Sequence, residues 1–534
     1  MADLSYVLSA LIAVPFLGFL AVMALGRTPR AARWIALGVS LVETALASLL
    51  LLTYFVPAVQ LAFGTLLGPH VPEGPPTAGA YVPFLYVERY TWVPQLGMEY
   101  VVGVDGLSVP LLWLTPLLTT LSIVFQWDET HRSKQFFALL LFLEGSLSGV
   151  FVALDFVVFV VFWELVLIPM FFLIGIWGGP NRRYASLKFI VYTHVGAVIM
   201  FLSIFALFWN SESANAAVTG EAARTFDMTV FLHSAIRDGG FLPLVLQVPI
   251  FLAFLFAFLV KLPSVPFHTW LPDAHVEAPT AGSVLLAGVL LKMGGYGIFR
   301  INFGILPLAA RDLWWVLAIF GVVSMVYAAF VCLAQTDLKR LIAYSSVGHM
   351  GFVLLGAATL TTVGVVGGIF QLFNHGLITA VLFMLAGSVK HSTGTRDIPA
   401  LRGLGRAMPQ FSTVLIIGFF ASLGLPGLNS FWSEFMVFLG AYTAPNAGDL
   451  RRLVFIPLLS IVVTAAYYVY TMQRILFGEL PPELGKPHDL PRNEGASYAV
   501  LVGLIILVGL FPIPFLQLMD GYVRTALPGL FGGG

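Results

Sequence analysis

Six ionisable side chains lie inside long apolar stretches of the chain, at depths where membrane hydrocarbon would surround them. These residues are Glu164, Lys261, Lys292, His349, His375 and Glu434. A charge at the bilayer centre costs at least about 2.5 kcal/mol, so such a residue usually faces a bundle interior or water. Carboxylate, ammonium and imidazole groups all bind and release protons. The residue types therefore favour proton transfer through a membrane.

Depth distinguishes these residues from charged groups at helix ends. At a rise of 1.5 Å per residue, Glu164 lies about 13 Å beyond Asp155 along its helix. Lys292 lies about 16 Å beyond Ala281 by the same reasoning. The remaining four fall at comparable depth in their own stretches, so six helices offer a proton-binding group near one plane.

Several of these polar residues also have a purely structural interpretation. A single membrane histidine such as His194, His349 or His375 can simply hydrogen-bond a neighbouring carbonyl group, and each stays ambiguous when taken alone. Glu144 is open in the same way. Lysines and glutamates at mid-depth are harder to explain by structure, and together they favour function.

The composition requires a membrane protein. Of the 534 residues, 59% are hydrophobic and only 10% are charged, and the mean hydropathy is +0.92. The formal net charge is zero, which gives no reason to expect a nucleic-acid partner. The single cysteine, Cys332, can form neither an internal disulfide nor an iron–sulfur cluster.

The lengths of the apolar runs predict an all-α polytopic protein. About 20 helical residues cross a bilayer, and runs of that length predict fourteen spans, near 4–25, 34–57, 107–126, 135–154, 156–177, 185–209, 242–271, 280–299, 313–334, 341–360, 363–389, 411–440, 453–477 and 497–519. The polar connections 58–106 and 210–240 are expected to be surface loops. The first contains "LYVERYTWV", whose alternation indicates a short hairpin outside the membrane.

The distribution of basic residues predicts the orientation of the chain. Most arginines and lysines lie in the loops that follow odd-numbered spans, and few lie in the other loops and the termini. The positive-inside rule then places the odd loops in the cytoplasm and both termini outside.

Prolines predict two broken helices. In "AFLVKLPSVPFHTWLPDAH", Pro263 and Pro266 directly follow Lys261, and each proline removes a backbone donor and clashes with the preceding turn. Pro426 and Gly427 stand ahead of Glu434 in the same manner. Breaks at membrane depth are tolerated only where protein or water satisfies the freed groups.

The positions of the breaks predict an internal repeat. The interval from Lys261 to Glu434 nearly equals the interval between the starts of the fourth and ninth spans, and paired breaks of this kind are typical of transporters built from repeats. Units of five spans must have inverted topology, and Lys261 and Glu434 would occupy equivalent places. The expected segments are N-terminal helices with an external loop at 1–134, a first repeat at 135–300, a second at 312–478, and a C-terminal loop and helix at 479–534.

Cofactor sites are not indicated by any motif. His268, Asp273, His275 and Glu277 are crowded together, but prolines interrupt any single helical face, so a helix end is favoured over a zinc site. A haem would need histidines paired across helices, and the three intramembrane histidines leave this open without favouring it. Glycine clusters lie within spans as packing positions, with no phosphate-binding loop.

Three long motifs carry a family resemblance that covers residues from about 100 to 480. The motifs occur in the order found in the family: "FWELVLIPMFFLIGIWGG", "VKLPSVPFHTWLPDAHVEAPTAGSVLLAGVLLKMGGYGIFR" and "AQTDLKRLIAYSSVGHMGFVLLG". The chain resembles the antiporter-like membrane subunits of respiratory complex I, the proton-translocating NADH-quinone oxidoreductase, and within them the chain M type, related to mitochondrial subunit 4. The glutamate of the twelfth span favours this type, because sister subunits carry lysine there.

The resemblance implies roles for the six residues. The family's key glutamate of the fifth helix falls on Glu164, its lysine of the broken seventh helix on Lys261, and its eighth-helix lysine on Lys292. The tenth-helix histidine falls on His349, the twelfth-helix glutamate on Glu434, and His375 matches a further polar position on the eleventh helix. The resemblance implies that Glu164 controls the proton affinity of Lys261, and that protons pass by Lys292 and His349 to Glu434.

The resemblance also implies a setting for the chain. This chain would hold no cofactor, while NADH, FMN, iron–sulfur clusters and quinone would be bound by partner subunits. Homologous antiporter-like chains would lie on either side, in the inner membrane of a bacterial cell. Alternatives are a subunit of a multi-chain sodium/proton antiporter, a subunit of a membrane-bound hydrogenase or photosynthetic ferredoxin-quinone oxidoreductase, and a membrane scaffold without transport function.

Overall fold

Thirteen helices long and apolar enough to cross a membrane are present in the described residues, and two shorter helices form one further, broken crossing. The computed structural model describes residues 6–56, 84–220, 222–445 and 447–531. In chain order the helices are α1 Val7–Leu25, α2 Pro29–Phe55, α3 Ser108–Phe125, α4 Ser133–Val152, α5 Phe156–Trp177, α6 Arg182–Trp209, α7 Leu244–Lys261, α8 Thr280–Phe303, α9 Trp314–Leu333, α10 Leu338–Ala358, α11 Thr362–Thr393, α12 Pro409–Ser422, α13 Asn429–Thr443, α14 Ala447–Leu476 and α15 Arg492–Leu510. The fourteen predicted crossings are thereby confirmed.

The predicted hairpin forms from β1 (Leu85–Val93) and β2 (Met98–Val104). The strands are antiparallel, with Tyr90 opposite Tyr100, and they lie between α2 and α3 in the chain. Residues 58–83 of the predicted loop lie outside the described residues.

The second predicted loop, 210–240, contains two helices and is not a simple loop. They span Glu212–Thr219 and Met228–Asp238. The second begins with a local cap, because the carboxylate of Asp227 accepts a hydrogen bond from the Thr229 backbone N–H. Such short helices escape a search for runs of membrane-spanning length.

The seventh crossing breaks directly after Lys261, as the prolines predict. α7 ends at Lys261, and a helix resumes only at Trp270–Glu277, so the predicted break within the span 242–271 is confirmed. The groups freed by the break find partners inside the protein. Ser324 of α9 accepts the Val265 N–H at 3.1 Å, and the Trp270 indole donates to the Val260 carbonyl at 2.9 Å.

The twelfth crossing breaks between α12 and α13. Gly424 and Gly427 have φ values of +76° and +92°, a region that favours glycine. Asn374 of α11 and Asn429 of α13 then exchange side-chain to backbone hydrogen bonds of 2.9 and 3.3 Å. These bonds fasten the second half of the crossing to α11.

The last predicted span, 497–519, is divided as well. α15 ends at Leu510, and a separate helix spans Ile513–Ala526. Pro512 and Pro514 stand at the junction, where each lacks the N–H that would continue the ladder.

α8 and α11 form the centre of the bundle. Residues 281–303 of α8 and 364–386 of α11 are all buried, whereas α6 and α14 expose many apolar side chains. The two central helices carry Lys292 and His375, so the fold places these groups away from lipid.

Two aspartates give the two expected repeats a common feature. Asp155 caps the first turn of α5, and Asp337 caps the first turn of α10. Each also forms an isolated β-bridge with an aspartate from a later loop, Asp227 and Asp397 respectively. This shared pattern supports our proposal that residues 135–300 and 312–478 are related units.

The broken helices are related less simply than expected. Lys261 is the last residue before its break, whereas Glu434 lies in the helix that follows its break. The two residues therefore do not occupy equivalent places. Their separation in sequence did not indicate this, because it does not depend on which side of each break a residue lies.

Candidate functional site

Lys292 and His375 are in direct contact at the centre of the bundle. The Lys292 Nζ lies 2.7 Å from His375 Nδ1, and it also donates to the Ala287 carbonyl of its own helix. Both side chains are buried. α8 has π-helical turns at Leu286–Leu290 and Ile298–Phe303, a distortion frequent at functional sites.

His349 and Glu434 continue this polar contact. The imidazole rings of His349 and His375 have centroids 5.3 Å apart. On its other side, His349 Nδ1 lies 3.7 Å from Glu434 Oε1. Four of the six predicted residues therefore form one group, here named the central cluster: Lys292, His375, His349 and Glu434.

Gln371 determines which nitrogen of His349 carries the proton. Its amide nitrogen lies 3.2 Å from His349 Nδ1, and its carbonyl oxygen accepts hydrogen bonds from Ser433 at 2.5 Å and Ser430 at 3.3 Å. An amide NH₂ can only donate, so Nδ1 must accept. The proton of neutral His349 then lies on Nε2, which is 2.8 Å from the Ser422 hydroxyl.

A small cavity beside this group can hold a water molecule. It measures about 20 Å³ and is lined by His349, Glu434 and Ser422 among others, which is enough space for one water. The Ser422 hydroxyl also lies 2.6 Å from the Tyr468 hydroxyl on α14. Polar groups therefore continue from the central cluster to α14.

Glu164 is paired with His194, a residue that the sequence left ambiguous. Glu164 Oε2 lies 3.0 Å from His194 Nδ1. This pair is not enclosed, because the His194 side chain is 58% exposed and that of Glu164 is 27% exposed. The chain thus presents a polar pair at mid-depth on the outer surface of the bundle.

Lys261 is buried and has no hydrogen-bond acceptor among the described residues. Its ammonium lies 5.2 Å from the centroid of the Trp163 ring, and it forms no ion pair with Glu164 in the part of the chain that the structure describes. Trp163 and Glu164 are adjacent on one helix and point about 100° apart. Trp163 therefore faces Lys261 inside the bundle, while Glu164 faces outward.

The six predicted residues thus lie at three separate positions in the structure. The structure brings four together in the central cluster, leaves Lys261 alone beside Trp163, and puts Glu164 with His194. Sequence reasoning missed Gln371 and did not select His194. A signal existed for Gln371, since it precedes His375 by four residues and lies on the same face of α11.

A larger cavity opens at the end of the bundle where α3, α5 and α11 end and α15 begins. Its volume is about 580 Å³, and its charged lining includes Lys339, Lys390, Glu277 and Glu494. Next to this lining, His275 is fully buried and stacks on the ring of Phe383 at 4.3 Å. Neither of its ring nitrogens has a hydrogen-bond partner in the described residues.

Within the described residues, no group of three or more histidine, cysteine, aspartate or glutamate side chains is arranged to hold a metal ion. Cys332 is buried and unpaired. The chemistry that the described side chains themselves provide is the binding and passing of protons.

Comparison with known proteins adds relatives that cover nearly the whole chain. The family model described as "NADH:quinone oxidoreductase/Mrp antiporter, TM" matches residues 153–456. The F(420)H(2) dehydrogenase subunit M of Methanosarcina mazei is 44% identical over 88% of this chain and 93% of its own. The NADH-quinone oxidoreductase subunit M of Rhodobacter capsulatus is 39% identical over 92% of this chain and 90% of its own.

A solved structure agrees with these relatives. A chain of respiratory complex I from Thermus thermophilus with bound NADH has a TM-score of 0.80 and 27% identity. The match covers 98% of this chain and 100% of that chain.

Proposed function

The chain belongs to the NADH:quinone oxidoreductase/Mrp antiporter family, and on this basis we propose that it is the proton-translocating, antiporter-like subunit of an NADH-quinone oxidoreductase. Redox chemistry in partner subunits supplies the energy. This chain moves protons and holds no redox cofactor of its own. The Methanosarcina mazei relative supports the subunit M type, and the Rhodobacter capsulatus relative supports both this type and an NADH-quinone oxidoreductase.

The observation that carries the proposal is the continuity of the central cluster. Lysine, two histidines and a glutamate follow one another across α8, α11, α10 and α13, with contacts of 2.7 Å, 5.3 Å between ring centroids and 3.7 Å. Protons pass between such groups directly or through one water. A membrane scaffold without transport function has no need for a buried series of this kind.

The remaining residues take roles at the start of the path. Lys261 sits alone at a helix break, where a desolvated ammonium readily loses its proton. The charge of Glu164 favours the protonated lysine, and moving a proton to His194 weakens that effect. Water in the interior carries the proton onward from Lys261 to Lys292, and His275 beside the large cavity provides a route of uptake from that end.

The energetic requirement is modest for each proton. Moving one charge against 100 mV costs about 2.3 kcal/mol. Partner subunits that reduce quinone supply it, and NADH, FMN and iron–sulfur clusters belong to those subunits.

The exposed pair supports a partner in the membrane. A polar pair such as Glu164 and His194 is costly against lipid, so a neighbouring membrane subunit covers it. We place a homologous antiporter-like chain there. The excess of basic residues in the odd loops supports cytoplasmic odd loops and external termini, in the inner membrane of a bacterial cell.

The experiment replaces Lys292 by methionine, which keeps the length of the side chain and removes its charge. The intact complex is reconstituted in vesicles, and protons moved and electrons passed from NADH to quinone are counted. Lys292→Met should lower both the ratio and the rate. Lys486→Met, at an exposed position between α14 and α15, should leave both unchanged.

Three results would each contradict part of the proposal. A wild-type ratio and rate in Lys292→Met would remove the central cluster from the path. Sodium-driven proton exchange by the purified complex without any electron donor would assign the chain to the antiporter branch of the family instead. A stoichiometric absorbance band from flavin or haem in this chain would end the proposal that it holds no cofactor.

A further inference from the structure

Two buried glutamates lie outside the central cluster and have no cation beside them. Glu43 is on α2 and Glu144 is on α4, and both are 0% exposed. The sequence left Glu144 ambiguous and did not single out Glu43. In the described residues, no lysine, arginine or histidine forms an ion pair with either carboxyl group.

The two helices bind each other through these groups reciprocally. Ser40 of α2 donates to Glu144 Oε1 at 2.9 Å, and Ser148 of α4 donates to Glu43 Oε1 at 3.0 Å. The second oxygen of each carboxyl group, Oε2, is buried and has no hydrogen-bond partner in the described residues. Each group thus has one satisfied oxygen and one free oxygen.

The surrounding helices bring no opposite charge to this pair. α1 and α3, which pack on α2 and α4, contain no titratable carboxyl, amino or imidazole group. Arg30, Arg33 and Lys134 belong to the first turns of α2 and α4, far along each helix from the glutamates. Other elements in contact with α4 carry four charged groups, and each of them has another partner. Glu164 of α5 binds His194, and Lys292 of α8 binds His375. Arg300 of α8 pairs with Asp105, and Glu99 of β2 pairs with Arg89.

Charge balance then requires a bound cation or proton. Two carboxylates in a low-dielectric interior repel each other and lose their hydration, so they cannot both stay ionised without compensation. One carboxylate is tolerable, because two serine hydroxyls donate to the pair. We propose that Glu43 and Glu144 form a proton-binding site separate from the central cluster, which always holds one proton and takes up a second reversibly.

The hydroxyl groups beside Glu144 can reorient when it gains or loses a proton. Ser40 Oγ lies 2.8 Å from Thr120 Oγ1, which lies 2.9 Å from Thr44 Oγ1. When Glu144 is ionised, Ser40 donates to it. When Glu144 carries a proton and donates that proton to Ser40, the serine can turn its hydrogen to the Pro116 carbonyl at 3.4 Å. The Ser40 hydroxyl therefore has an acceptor in either state.

This site goes beyond the proposed function and does not depend on it. Its ligand is a proton bound at rest, without an electron donor. The two proposals therefore fail separately: the vesicle measurement on Lys292→Met decides translocation, and a titration of the resting complex decides this site.

The test is infrared difference spectroscopy of the intact complex during a pH titration, in water and in heavy water. The carboxylic acid C=O band reports protonated glutamates. The Glu43→Gln/Glu144→Gln double variant should lose a band that titrates and shifts in heavy water in the wild type. Each single variant should leave one carboxyl group that titrates in a single step.

A less disruptive variant tests the proposal even if the double variant assembles poorly. Ser148→Ala keeps both carboxyl groups and removes one donor that favours the ionised form. Its titration should move to higher pH by about one to two pH units. Gly503→Ala, on α15 with open space around the added methyl, is the matched control and should titrate like the wild type.

Three results would overturn the proposal. An identical spectrum in wild type and double variant would mean that the pair holds no proton. A band that neither titrates nor shifts in heavy water would mean a permanently protonated, structural pair. Loss of the band on replacing potassium by sodium at fixed pH would assign the site to a monovalent cation.

Discussion

The contact between Glu434 and His349 is tested most directly by replacing Glu434 with glutamine. Glu434 Oε1 lies 3.7 Å from His349 Nδ1 and accepts a hydrogen bond from Ser430 at 3.1 Å. Glutamine has the same size and retains an oxygen for Ser430. The substitution therefore removes the negative charge and little else.

The magnitude follows from the distance. Two unit charges 3.7 Å apart attract each other by about 4 kcal/mol at an effective dielectric constant of about 20. Protonated His349 loses this stabilisation in Glu434→Gln. Since each 1.4 kcal/mol is about tenfold, the protonated histidine becomes about a thousandfold rarer, and proton passage through it should fall by roughly two to three orders of magnitude.

The assay measures proton movement and quinone reduction in vesicles that contain the intact complex. Glu434→Asp is the matched control, because it keeps the charge while shortening the side chain by one methylene group. We expect Glu434→Gln to be strongly impaired in both activities and Glu434→Asp to be much milder. Wild-type rates in Glu434→Gln, or equal impairment in the two variants, would refute the charge argument.

Three further predictions concern other parts of the molecule. Glu164→Gln removes the charge that favours protonated Lys261, so the ratio of protons to electrons should fall; Glu144→Gln should lower it less, and exposed Glu212→Gln should not change it. Arg300 and Asp105 form a buried bidentate ion pair with two N–O distances of 2.6 and 2.7 Å. Arg300→Met should therefore lower the free energy of unfolding by about 3 to 5 kcal/mol and lower the melting temperature of the complex. Adding Asp105→Leu in the same chain should restore most of the lost stability. Burial raises the pKa of Asp155, which lies outside the membrane at the start of α5, to about 7. The protonated carboxyl group therefore contributes stability that is fully present below its ordinary pKa and is lost as the pH rises through 7. Asp155→Asn should flatten the dependence of the melting temperature on pH in this range, and an unchanged dependence would contradict the prediction.

The crossings and their breaks were predictable because they depend on local chemistry. The lengths of the apolar runs indicate the helices, and Pro263, Pro266 and Pro426 indicate the breaks. A proline lacks the backbone N–H of a helical hydrogen bond in any surroundings. The prolines indicate the break after Lys261 but not the residue at which the helix resumes, which is Trp270. Short helices outside the membrane, such as Met228–Asp238, have no such signal.

The contacts between side chains were harder to predict because they depend on the rotation of each helix. Trp163 and Glu164 are neighbours in sequence, and which one faces Lys261 is decided by how α5 packs. Glu43 and Glu144 each bind a serine of the other's helix only because α2 lies against α4. A list of residues at membrane depth therefore identifies candidates for proton binding without identifying their partners.

His349 shows how the arrangement controls the direction of a proton. Its Nδ1 accepts the Gln371 amide at 3.2 Å, and that nitrogen is also the one that faces Glu434. A proton that arrives at Nδ1 displaces the amide donor, because a protonated nitrogen cannot accept a hydrogen bond. The new N–H then has Glu434 as its nearest anionic acceptor, while the proton on Nε2 stays with Ser422 at 2.8 Å. Transfer toward Glu434 is thus coupled to release of Gln371.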